Sequence, residues 1–144
     1  MTRLLAAFTA ALMLLTAVPA PAADRTVKLT LDGRPVDRAG GVAVLHNGVV
    51  YGNVVPLVKS FDGLLTFQGN AVVVTINGVT GRFTEGSRTA LINDGAVTMP
   101  GQTFKRDGDL YVPLDVFVTQ IAQAKIRTNA ARTQADIIVN ASAS

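Results

Sequence analysis

Two stretches of this chain carry the same order of residues, and no other feature restricts its fold as far. Asn47, Gly48, Val49, Val50, Tyr51, Gly52, Asn53, Val54, Val55, Pro56, Leu57 reads as a polar-Gly turn, a Tyr-bearing apolar run, and then Val, Pro, Leu opening a helical pattern. Asp107, Gly108, Asp109, Leu110, Tyr111, Val112, Pro113, Leu114 repeats that order. Asn-Gly and Asp-Gly suit tight hairpin turns, in which both central residues need positive φ. Pro suits the first helical position, where its missing N–H would have no helical partner in any case. The pair predicts a strand-rich α+β fold: two degenerate units, each a β-hairpin, a short helix and a second β-hairpin, packed as one domain.

The flanking patterns set the limits of the units. Val27, Leu29 and Leu31 alternate with Lys28 and Thr30, the period of a half-buried strand, and Asp32-Gly33 turns it back. Unit one runs over about 26–77. Its helix carries Leu57, Phe61 and Leu64 at helical spacing and ends at Asp62-Gly63, where Gly readily takes the left-handed cap conformation. Strands at 64–67 and 71–76 close it, the second as a Val-rich run expected to be buried. Unit two runs over about 78–140, with strands at 79–83, 89–92, 96–99, 103–105 and 110–112, and a helix opened by Pro113. Leu114, Phe117, Val118, Ile121 and Ala124 form one apolar face of that helix. The Val-Pro-Leu triplets are 57 residues apart but Gly48 and Gly108 are 60 apart, which predicts a three-residue insertion in unit one and a bulge at Gly52.

Residues 1–22 read as an address. Arg3 precedes an apolar run from Leu4 to about Val18, and Ala20, Pro21, Ala22 fits a small-residue cleavage site. The expected product is a 23–144 domain with no membrane span, exported to the periplasm, the cell surface or the medium. Setting Arg3 aside leaves twelve basic against ten acidic residues. Their signs are interspersed, so nucleic acid is not an expected partner.

Catalytic sets are hard to assemble from this composition. With no Cys, disulfides, thiolate metal sites and Cys nucleophiles are excluded. His46 is the single His and reads as a surface residue before a turn; a multi-His metal site cannot be built on it. Asp107 and Asp109 around Gly108 lack the later ligands of a calcium loop and read as turn chemistry. Glu85 is the single Glu, which leaves no Glu pair for glycoside hydrolysis. No catalytic, cofactor-binding or metal residues are therefore assigned, and the chain is read as not an enzyme. Gly48, Tyr51, Pro56, Leu57, Gly108, Tyr111, Pro113 and Leu114 stand as a structural repeat motif. Its two Tyr rings are expected to be half buried on the adjoining helices, with their hydroxyls reaching solvent.

The opening turn Leu31, Asp32, Gly33, Arg34, Pro35 and the segment Gly108, Asp109, Leu110, Tyr111, Val112, Pro113, Leu114 resemble the copper amine oxidase N-terminal-like, or stalk, domain of exported bacterial proteins. The resemblance spans about Val27 to Val139. Where that family places Arg after Val-Pro-Leu, this chain has Val58 and Asp115. The resemblance implies a non-enzymatic binding or scaffold module of the cell envelope, with an envelope polymer or protein as partner and no cofactor. A secreted protein inhibitor or small-ligand carrier is the alternative.

Overall fold

The computed structural model describes residues 24–36 and 42–139. The segment expected to be a signal, the expected loop at Arg38 to Gly41 and the residues after 139 lie outside the described residues. Turn chemistry lays out the rest. Asp32-Gly33, Asn47-Gly48, Asn77-Gly78 and Asp107-Gly108 each hold positive φ at both residues, between 49° and 85°, which matches the twist of the strands they join. Asn93-Asp94 does the same without a glycine. The strands are β1 (Arg25–Leu31), β2 (Arg34–Pro35), β3 (Ala43–His46), β4 (Val49–Asn53), β5 (Leu64–Gln68), β6 (Ala71–Ile76), β7 (Val79–Thr84), β8 (Thr89–Ile92), β9 (Gly95–Thr98), β10 (Phe104–Arg106), β11 (Asp109–Pro113), β12 (Lys125–Thr128) and β13 (Gln134–Ile138).

Two sheets result among the described residues. The larger has the order β10-β11-β4-β3-β1-β13-β12, with β2 added to β1, and the smaller is the meander β5-β6-β7-β8-β9. β1 and β13 run parallel, Leu29 facing Ala135. The Val-rich β6 lies between β5 and β7 with Val72 and Val74 fully buried, as its composition predicts.

Helix α1 (Val54–Ser60) starts two residues earlier than expected. Asn53 caps it, its side-chain oxygen accepting from the Val55 N–H at 3.2 Å, and Pro56 falls third, still inside the turn whose N–H groups lack helical partners. The helix stops at a left-handed residue, but that residue is Asp62, with φ 55°, and not Gly63. Gly63 is needed for space instead: a Cβ there would lie 2.7 Å from Ile76 Cγ1 and 2.8 Å from the Thr75 carbonyl oxygen.

Helix α2 is Leu114–Val116 continued by a π-helical turn, Phe117–Ile121. Pro113 does not open it but ends β11. The helix starts six positions after the turn glycine in both hairpins, Val54 after Gly48 and Leu114 after Gly108. The expected insertion is therefore absent: the offset is 60 throughout, and Pro56 and Pro113 are not counterparts. Gly52 forms no bulge either, since it pairs in register with Ala43 on one side and Val112 on the other.

Each helix crosses to the other hairpin, α1 packing on β11 and α2 on β4, and each also touches the smaller sheet, through β5 and β7 respectively. Leu57, Leu114, Phe117, Ile121, Phe83, Val72 and Ile137 form part of one core spanning both sheets. The glycine at 52 is explained by this crossing. A Cβ on Gly52 would lie 2.5 Å from Leu57 Cδ1 and 3.0 Å from Leu114 Cδ1, so a leucine from each helix closes over it.

Candidate functional site

Side chains alternate across a strand, so with Gly52 turned to the helices, Tyr51 lies on the opposite face of the larger sheet. Val44, Tyr51 and Tyr111 form a second, smaller cluster there, with Val49 and Phe104 packed against it. Phe104 is its hub. Its ring stacks on Tyr111 at 5.2 Å and 5°, takes Tyr51 edge-on at 4.8 Å, and lies 4.3 Å from the His46 ring. The Arg106 guanidinium sits 5.2 Å from the same ring centroid. Both motif tyrosines are thus brought together, but neither packs as expected: they are 2% and 5% exposed, in this separate cluster. The Tyr51 hydroxyl donates to the Gln102 carbonyl at 2.9 Å, and burial raises its pKa.

An ion-paired clasp closes one side of the cluster. Asp24, just ahead of β1, accepts from the Arg106 guanidinium and lies 2.8 Å from His46 Nδ1. The Arg106 hydrogen bond is the main cause that holds the Asp24 carboxyl below its ordinary value; partial burial opposes it and His46 adds to it. His46 is accordingly half-buried and paired, not the surface residue expected. The clasp also reports the shape of the sheet. β10 and β1 are four strand positions apart, about 19 Å in a flat sheet at about 4.8 Å per step. An ion pair across that span requires the strands to curl, so this part of the sheet is a half-barrel fastened by side chains.

Two grooves adjoin at the Asn47-Gly48 end of this face. One, of about 330 Å³, is lined by His46, Asn47, Tyr51, Arg88, Gly101 and Phe104. The other, of about 230 Å³, is lined by Gly48, Val50, Leu114, Asp115, Ile126 and Arg132. Val49 and Pro100 line both, so the grooves are neighbours. Two guanidiniums are fixed along them by main-chain carbonyls, Arg88 on Pro100 at 2.9 Å and Arg132 on Gly48. A carbonyl positions a guanidinium without neutralising its charge.

The repeat motif is thus distributed over four places. Tyr51 and Tyr111 sit in the aromatic cluster, Leu57 and Leu114 meet over Gly52, and the two turns lie apart, Gly48 in the smaller of these grooves and Gly108 beside a separate hollow of about 300 Å³ with Phe67 and Lys105. Sequence reasoning missed Asp24, Arg88, Phe104, Arg106 and Arg132. A signal existed for one: Arg106 precedes Asp107-Gly108 as His46 precedes Asn47-Gly48. Among the described residues no group of three or more His, Cys, Asp or Glu is placed to hold a metal ion. No described helix is long and apolar enough to cross a membrane.

A search of curated proteins finds no match. The family model for the copper amine oxidase N-terminal domain matches residues 30–137, most of the chain and nearly all of the described fold, and the protein belongs to that family.

Proposed function

We propose that this protein is an exported, non-enzymatic binding module of the cell envelope, and that it engages its partner through the two neighbouring grooves that carry Arg88 and Arg132. The observation that carries this reading is the pair of guanidiniums anchored to main-chain carbonyls, Arg88 to that of Pro100 and Arg132 to that of Gly48. Fixed, charged donors beside a shaped apolar floor are what a recognition surface needs, since little side-chain entropy remains to be lost on binding. The family name supplies no copper chemistry here. A copper site draws on several imidazole or thiolate donors, and this chain has one His, held by Asp24, and no Cys.

The same proposal includes cleavage after Ala22, and descent of the two hairpin-and-helix segments from one unit. Support for the second is the pairing of β4 with β11: Gly52 faces Val112, while Asn53 faces Tyr111 and Tyr51 faces Pro113. At an offset of 60 this register is symmetric, as a duplicated hairpin meeting itself would be.

Cosedimentation with purified cell-wall polymer and with envelope extract tests the function. The protein as processed by the producing cell is expected to be retained, and Arg88→Ala with Arg132→Ala is expected to weaken retention at least about tenfold. Equal retention of the double variant, or turnover of a hydrolase substrate abolished by one Asp substitution, would sink the reading. Stoichiometric capture of one enzyme would favour the inhibitor alternative.

A further inference from the structure

The free edge of the smaller sheet is built differently from the others. β5 is Leu64-Leu65-Thr66-Phe67-Gln68, an edge strand paired on one side alone, with β6. It contains no charge and no proline, the two usual means by which an edge is made unattractive to another strand. Edge strand β10 carries Lys105 and Arg106 and is fastened by Asp24, while edge strand β12 carries Lys125 and Arg127. β9, the remaining uncharged edge, presents only Gly95, Ala96, Val97 and Thr98. On β5, Leu64 is 72% and Phe67 55% exposed, the two most exposed large apolar side chains described.

We propose that β5 is a self-association edge, and that its occupant is β5 of a second copy of this chain, running antiparallel and centred on Thr66. The argument is self-complementarity. That register pairs all five residues of each strand, setting Thr66 against Thr66, Leu65 against Phe67 and Leu64 against Gln68. Leu65 and Phe67 share the face on which their β6 partners, Val74 and Val72, are fully buried. Two Leu–Phe contacts across the new junction then extend the existing apolar layer, each a favourable cross-strand pair. No residue of the paired strands is charged; Arg82, donating to Gln68 at 2.6 Å, and Lys105, lining a hollow with Phe67, lie on other strands. The contact is isologous, so it closes at two copies, whereas β5 against β9 would repeat without end. It also occupies backbone groups that otherwise invite open-ended pairing.

Sedimentation velocity over a concentration series, on the protein as processed by the producing cell, tests this. Wild type is expected to shift from monomer to dimer as concentration rises. Thr66→Lys places like charges directly opposite on the two-fold axis and is expected to raise the dimer dissociation constant about tenfold. Thr66→Asp does the same alone. An equimolar mixture of the Lys and Asp variants is expected to restore the dimer, a result that a folding defect cannot produce; circular dichroism confirms that each variant is folded. A monomeric wild type at all concentrations, a dimer insensitive to both substitutions, or a mixture that stays monomeric would each overturn the proposal, as would a non-terminating mass distribution.

Discussion

Asp24 is where a single charge has the widest structural reach. Its carboxyl joins residues of β3 and β10, and the Arg106 hydrogen bond is the largest cause of its lowered pKa. Because the folded value lies below the ordinary 3.8, the stability that Asp24 contributes is complete above the unfolded pKa. It is lost as pH falls through the folded one. Asp136 adds to the same acid-side loss, chiefly through the Thr30 hydroxyl donating at 2.6 Å. Arg106→Gln is therefore expected to move Asp24 titration upward toward 3.8, read by NMR, and to flatten the melting temperature against pH below about pH 4. An unchanged titration would show that Arg106 is not the controlling partner. A second residue-scale test concerns space. A Cβ at Gly81 would collide with Ile121 Cδ1 in the core, so Gly81→Ala is expected to lower stability by about 1–3 kcal/mol in denaturant titrations.

Elements were legible where their chemistry is local. Asx-Gly dipeptides place hairpin turns because φ preferences act within two residues, and strand limits at 89–92 agree with the structure to the residue. The start of α1 is set by the capping side chain of Asn53 and not by Pro56, and α2 begins one residue after Pro113 with no side-chain cap. The glycines misled in a different way. Gly52 and Gly63 are demanded by Leu57, Leu114, Ile76 and Thr75, contacts that no local pattern contains. Leu114, Phe117, Val118 and Ile121 of α2 are buried as their spacing predicts, whereas Ala124 lies beyond the helix end; Phe117→Ala is expected to cost about 3–5 kcal/mol. A smaller loss would mean that the helix leaves the core. The same helix exits through Gln123 at φ 53°, exposed to solvent. Left-handed conformation costs a residue with a Cβ roughly 1 kcal/mol, so Gln123→Gly is expected to raise stability by a few tenths to about 1 kcal/mol, readable as a higher denaturation midpoint.

At the scale of the whole molecule the site was not legible, because a curled sheet assembles it. Asp24, His46 and Arg106 converge across 82 positions of sequence, and nothing in the spacing of three polar residues reports that β10 bends toward β1. The two segments read as units do not behave as separable bodies either: β1 pairs with β13, β6 with β7 and β4 with β11. Removing β13 by ending the chain at Thr133 should therefore abolish cooperative unfolding throughout, not in one half. Retention of a sharp thermal transition by that truncated chain would contradict the single core.

The β1–β13 pairing has a further consequence in time. The first strand of the described fold stays unpaired on that flank until the last one is available, about a hundred residues later, and such distant closure is slow because its loop entropy comes before any contact is gained. β13 is the last of the described strands to be synthesised. A chain arranged this way stays open on that flank until β13 has been made, which would suit the proposed export. Topology thereby holds back closure of the larger sheet until its most C-terminal described strand is in hand.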